Sequence, residues 1–168
     1  GALKATKHLI QRGKKRIAHL AGSQNLQIAK LRRKGYVDAL EQSGMKVNEN
    51  FIVESGFKRE DSRRVAKALL IDQRPDAIFC ASDNVAIGAL LATRELGLKV
   101  PEEVAVMGFS NLSISELIDP PLSTINQPAK EMGETSAKLL LDIIGQKKKD
   151  FEPKTIVLKT EVVAREST

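Results

Sequence analysis

Apolar residues along this chain alternate between a helical and a strand rhythm, and glycines or prolines punctuate most of the changes. Leu3, Ala5, Leu9 and Ile10 recur at helical spacing and stop at Gly13, which predicts a helix over residues 2–12 closed by a glycine. Ile17, Ala18, His19 and Leu20 then read as a short strand ending at Gly22. A second helix, marked by Ile28, Leu31, Tyr36, Val37 and Leu40, ends at Gly44 and leads to a strand at 51–53. A third helix over 61–71 carries Val65, Ala66, Leu69 and Leu70 on its inner side. Residues 76–81 are nearly continuously apolar, as expected of a parallel strand covered by helices on both faces. Asp83 opens the next helix, where its carboxylate could cap free amides, and Ile87, Leu90, Leu91 and Leu96 carry the apolar face to Gly97. Residues 104–107 form the next inner strand. Helix and strand alternate through four units, too few to close an eight-fold barrel, so the fold class expected is α/β with a doubly wound, mostly parallel sheet.

After Gly108 the rhythm changes. Pro120 and Pro121 interrupt the chain, residues 124–127 favour β structure, and a helix follows Pro128, with Met132, Leu139, Leu140 and Ile143 on one face before Gly145. A basic turn at Lys147, Lys148 and Lys149 precedes a strand over 155–163. These last elements read as a crossing and a return, set apart from the main unit.

A length of 168 residues with 42% hydrophobic residues allows one real core and part of another. The single cysteine, Cys80, lies in an apolar run and reads as a small buried hydrophobe, which fits a reducing cytoplasm. No run approaches the roughly 20 apolar residues needed to span a bilayer, and no secretory leader opens the chain. Lysine and arginine number 27 against 21 acids, a formal charge of +6. The basic clusters at 14–16, 30–34 and 147–149 sit at helix ends and loops, where they favour the helix dipole and solubility. One tyrosine and no tryptophan leave no stacking platform for single strands, and the long helices are separated by strands, which argues against a helix-turn-helix pair.

Reactive chemistry is scarce. His8 and His19 have no second histidine or cysteine at metal-ligand spacing, no serine elbow or phosphate loop is present, and GSQNLQ after the first strand lacks the glycine triplet of a dinucleotide site. The expectation is a binding module that is not an enzyme and carries neither cofactor nor metal.

The segments ALKATKHLIQRGKKRIAHLAGS, RRKGYVDAL, PDAIFCASDNVAIGALLATRELGLKVPEEVAVMGFSN and PPLSTINQPAKEMGETSAKLLLDII, in that order, span essentially the whole sequence. Together they resemble the ligand-binding region of the lactose and galactose repressor family of bacterial transcription regulators. The resemblance implies a periplasmic-binding-protein-like fold in which two Rossmann-like subdomains, joined by three chain crossings, close around a small effector. Residues 1–124 would then be the C-terminal effector-binding subdomain, 125–152 a crossing and helix of the N-terminal subdomain, and 153–168 the return strand and tail. The first half of the N-terminal subdomain and the helix-turn-helix head would lie outside these residues. The implied partners are a sugar or sugar derivative, a second copy in a homodimer, and operator DNA reached only through the head, with no membrane. The competing reading is a solute-binding receptor of a sugar transport system. Either way, the apolar stripe of the helix at 128–145 should be covered, by self-association or by folding back on the main unit.

Ligands of open α/β sheets bind at the carboxyl ends of the strands, which selects the loops after residues 20, 54, 81 and 108. Arg32, three residues before Gly35, matches the family position that contacts effector oxygens, and a guanidinium is a rigid fork for two of them. The alternative is a solvated arginine like Arg33. Phe57 matches the aromatic on which effectors pack, or is a core anchor. Ser82 and Asp83 match the pair that contacts ligand and starts a helix, and Asp83 could be a cap alone. Family members commonly carry Asp where this chain has Ser110, in GFSN. A hydroxyl there removes a negative charge beside Arg32, which could favour an anionic ligand or could mean a shallower, water-bridged contact. Asn111 could reach the ligand or cap the following segment through a local backbone bond.

Overall fold

A computed structural model describes residues 1–145 and 153–168; the lysine triplet at 147–149 lies outside the described residues. The elements in chain order are α1 (Ala2–Gln11), β1 (Ile17–Ala21), α2 (Gln27–Gln42), β2 (Ile52–Glu54), α3 (Arg59–Gln73), β3 (Ala77–Cys80), α4 (Asp83–Glu95), β4 (Ala105–Met107), β5 (Thr124–Asn126), α5 (Ala129–Gly145) and β6 (Glu161–Val163). Strands β1 to β4 form a parallel sheet in the order β2-β1-β3-β4. The expected doubly wound α/β architecture is therefore present.

Period-two alternation assigns the two faces of that sheet. Ala18, Leu20, Ile78, Cys80 and Val106 pack with α3 and α4, while Ile17, Ala77, Phe79, Ala105 and Met107 pack with α1 and α2. All five residues of β1 and all four of β3 are buried, which explains why these central strands are apolar without polar interruption, His19 excepted.

The inner stripe of α2 differs from the one its aliphatic residues suggest. Ala29, Arg32, Tyr36, Ala39 and Leu40 are buried, whereas Ile28 and Leu31 are 50% and 58% exposed. Helical geometry allows only one inward face, and close packing against α1, where a Cβ on Gly35 would come within 2.8 Å of the Ala2 side chain, favours the small residues. The larger aliphatics are left at the rim. One consequence is that an arginine occupies a core-facing position.

Beyond β4 the chain crosses over. Residues 123 and 126 bridge in parallel to Met107 and Ser110, and β5 pairs antiparallel with β6. Ser167 then lies along β4, its backbone oxygen accepting from Val106 N and its hydroxyl donating to Val106 O at 2.6 Å. The return strand is shorter than its composition suggests: only Glu161–Val163 is strand, because residues 155–160 have no strand beside them among the described residues. No residue of α5 is buried, so this helix does not fold back on the main unit. Its Met132 and Leu139 line, together with Ile156 and Leu158, a groove of about 560 Å³.

Candidate functional site

In the order β2-β1-β3-β4 the chain leaves β1 toward one edge and β3 toward the other, so the crevice between their carboxyl ends is the topological switch point, where open α/β sheets take ligands. Arg32 lies there. It is 9% exposed, its Nη1 donates to the Ala81 carbonyl at 2.5 Å, and its guanidinium carbon is 4.0 Å from the centroid of the Phe109 ring. Burial pulls its proton affinity below the ordinary arginine value, and the charge of Asp83 opposes that shift.

The ring beneath Arg32 ends an aromatic row running through the α1 and α2 side of the core. Tyr36 stacks on His19 at 5.3 Å, His19 on Phe79 at 4.8 Å, and Phe79 meets Phe109 tilted at 6.5 Å. Tyr36 is itself fixed by a 2.7 Å bond to the Ile17 carbonyl. Among the described residues Arg32 is thus held by packing and one hydrogen bond rather than by an ion pair, which leaves most of its five donors free of protein partners there.

On the other side of the sheet, Phe57 lies partly buried against the α3 and α4 core, its ring over Gly22. A Cβ on Gly22 would come within 2.3 Å of that ring, so the glycine after β1 is the space Phe57 occupies. Phe57 and Arg32 therefore flank the switch point from opposite faces of the sheet.

Ser82 is half-buried and caps α4, its hydroxyl accepting from Val85 N at 3.3 Å. This corrects the assignment of the cap to Asp83. A cap must stand one residue outside the helix in extended backbone, as Ser82 does, while Asp83 is already the first helical residue. The Asp83 carboxylate is fully buried and turns inward. It accepts from Leu112 N at 2.7 Å, Ser115 Oγ at 2.9 Å and Thr124 Oγ1 at 2.6 Å, and a Cβ on Gly108 would approach it to 2.3 Å.

Ser110 and Asn111 both have positive φ, 123° and 55°, in a loop fastened to the crossing. The Ser110 hydroxyl donates to Gln127 Oε1 at 3.0 Å. No hydrogen bond joins it to Arg32 among the described residues. Asn111 does not cap the next segment. Its Nδ2 donates to Asn126 Oδ1 at 3.2 Å and its Oδ1 accepts from Arg165 Nη2 at 3.0 Å, so it ties the loop after β4 to β5 and to the segment that follows β6. Sequence reasoning missed Phe109, Gly22, Gly108, Gln127 and Arg165. The two glycines, each directly after a strand, carried a signal; Arg165, 54 positions from Asn111, carried none.

Among the described residues no group of His, Cys, Asp and Glu could hold a metal, and no helix is long and apolar enough to cross a membrane. Comparison with known proteins gives a match to the periplasmic binding protein-like domain over residues 6–168. The chain is 36% identical over 168 residues to the HTH-type transcriptional repressor PurR of Pasteurella multocida, covering 99% of this chain and 50% of that protein. It is equally identical, with the same coverage, to the ribose operon repressor of Haemophilus influenzae. A solved complex of the transcriptional regulator CelR with cellobiose superposes with a TM-score of 0.93 at 36% identity, over 100% of this chain and 51% of that one. The chain spans about half the length of the curated relatives it matches. Two of those relatives are repressors and the third is a transcriptional regulator.

Proposed function

The chain belongs to the lactose and galactose repressor family of transcription regulators, as a periplasmic binding protein-like effector-binding region, and from that premise we propose that its strand-end rim is one wall of an effector cleft. The observation that carries this reading is Arg32, buried at the switch point, braced by Ala81 and Phe109, with donors still open. Phe57 supplies an apolar platform, and Ser82 and Ser110 supply hydroxyls around it. Asp83 and Asn111 act on ligand indirectly, by fixing the helix start and the loop that carry those hydroxyls. The effector is a sugar or sugar derivative. Its binding closes the second subdomain, of which α5 is part, over the rim and shifts the population between arrangements that differ in operator affinity. The regulator works in the cytoplasm and reads DNA through a separate helix-turn-helix head.

The test is operator selection with the full-length gene product, followed by effector titration. Arg32→Ala should leave operator selection intact and weaken the effector response about tenfold or more, the loss of a charge-assisted contact worth roughly 1.5 to 3 kcal/mol. An unchanged response would remove Arg32 from the site, and failure to select any DNA would defeat the regulator reading.

We assign the homodimer contact to the outer side of α4, where Ile87, Leu90, Leu91, Leu98, Val100 and Ile118 line a groove of about 430 Å³. Sedimentation of Leu91→Lys should show self-association weakened by about tenfold or more. A dimer that survives Leu91→Lys but dissociates with Leu140→Asp would move the contact to α5.

A further inference from the structure

No residue of α5 is buried, so the orientation of this helix is decided by the crossing that carries it. Hydrogen bonds hold the crossing on two sides. On one side the exposed Lys4 of α1 donates to the Thr160 carbonyl at 2.6 Å. On the other, the loop after β4 grips β5 through Ser110 N to the Ile125 carbonyl at 2.8 Å and Asn111 Nδ2 to Asn126 Oδ1 at 3.2 Å. One side chain reaches that loop from the return path. The half-buried Arg165, two residues past β6, donates through Nη2 to Asn111 Oδ1 at 3.0 Å and through Nη1 to the Leu122 carbonyl at 2.7 Å. Its rigid fork therefore ties three segments: the tail, the loop after β4 and the residues just ahead of β5.

Regular pairing of β5 with β6 does not extend to this level. Their ladder ends at Thr124 and Val163. Below it the hydroxyl of Ser123 stands in for the ladder, accepting from Arg165 N at 2.7 Å and donating to the Arg165 carbonyl at 3.0 Å. A hydroxyl turns about its own bond and keeps such contacts over a range of directions, so the level of Ser123 and Arg165 is where the crossing bends most easily. The guanidinium of Arg165 lies across that pivot. Its partner Asn111 is held at φ 55° beside Ser110 at φ 123°, backbone values that persist in non-glycine residues where the surroundings over-determine them. We propose that Arg165 is the clasp of the crossing: its bond to Asn111 fixes the angle of α5 to the sheet, and breaking that bond frees the pivot. This goes beyond the effector-cleft reading and holds with or without a ligand.

The experiment measures the distance between spin labels placed at two exposed alanines, through Ala68→Cys on α3 and Ala137→Cys on α5; the one native cysteine, Cys80, is fully buried. Hydrogen-exchange protection of the β1 and β3 amides reports in parallel that the core is folded. The intact clasp should give a single narrow distribution, and Arg165→Ala one about twice as broad or more with the core still protected. Lys4→Ala, which removes the bond on the α1 side, should leave it narrow. Asn111→Asp keeps the acceptor for Arg165 and gives up the donor to Asn126, so it should also stay narrow, whereas Asn111→Ala loses both and should be broad. Those two variants decide the matter on their own if Arg165→Ala loses core protection. A narrow distribution in Arg165→Ala with an intact core, equal widths in Asn111→Asp and Asn111→Ala, or broadening by Lys4→Ala as large as that by Arg165→Ala overturns the proposal.

Discussion

Replacing Asp83 with Ala is expected to destabilise the chain by about 3 kcal/mol or more. Three donors from three segments converge on this carboxylate: Leu112 N and Ser115 Oγ from the loop and 3-10 turn after β4, and Thr124 Oγ1 from the crossing. Ser115 and Thr124 are fully buried, so water cannot readily replace the lost acceptor, and each orphaned donor bears the desolvation penalty of about 1–3 kcal/mol that an unmade buried bond carries. Asp83→Asn separates this from volume. It keeps the shape but turns one acceptor into a donor facing other donors, and should lose nearly as much. A helix cap alone is worth about 1 kcal/mol. Urea denaturation of both variants decides between the two roles: a loss near the capping value for Asp83→Ala would mean that the inward hydrogen bonds contribute little.

The contrast between Asp83 and Ser82 shows where sequence was informative and where it was not. Strand and helix order was legible because β1, β3 and β4 are wholly buried and must be apolar, and because glycines close α1, α2 and α4 at Gly13, Gly44 and Gly97, each with positive φ. The strand-end rule then led to loops that do contain Phe57, Ser82 and Ser110, and to the helix after the first of those loops, α2, which carries Arg32. What the sequence could not give was the direction of each side chain. Arg32 and Arg33 are adjacent and identical, yet one lies in the crevice and the other pairs with Glu49 on the surface at 2.8 Å, a choice made by the rotation of α2 against α1. Reading α2 by its largest aliphatics rotated the helix wrongly, since Ile28 and Leu31 are left outside. The Asn111 bridge was equally illegible, because its partners come from Asn126 and Arg165, far along the chain. Its position has a functional consequence. The loop that carries Ser110 is bonded to β5 and to the segment after β6, so a shift of this loop is passed to the crossing.

Acid should destabilise the chain in a defined window because of His19. This residue is fully buried in the central strand between the rings of Tyr36 and Phe79, with Nδ1 bonded to the Phe79 carbonyl at 3.0 Å and Nε2 without a partner among the described residues. Burial lowers its pKa from 6.5 to about 4; the bond to Phe79 opposes the shift, and the charges of Arg33 and Arg32 add to it. The unfolded chain therefore binds a proton near pH 6.5 that the folded chain accepts only near pH 4. Stability contributed by this site is complete above pH 6.5 and falls by about 1.4 kcal/mol per pH unit as the medium is acidified. It levels off below about pH 4, after a loss of roughly 3 kcal/mol. His8 shifts in the same direction, through burial and then the charge of Arg12, so the wild-type curve contains both. His19→Phe isolates the larger contribution, keeping an aromatic ring in the stack and removing the titrating nitrogens. Its loss of the bond to Phe79 is a constant offset at every pH, so the slope is the quantity to compare. Denaturant unfolding at intervals from pH 7 to about pH 4.5 should give a variant curve distinctly flatter than the wild type. Parallel curves would show that His19 is protonated in the folded state as readily as in the unfolded one, and that the aromatic row tolerates a charge at its centre.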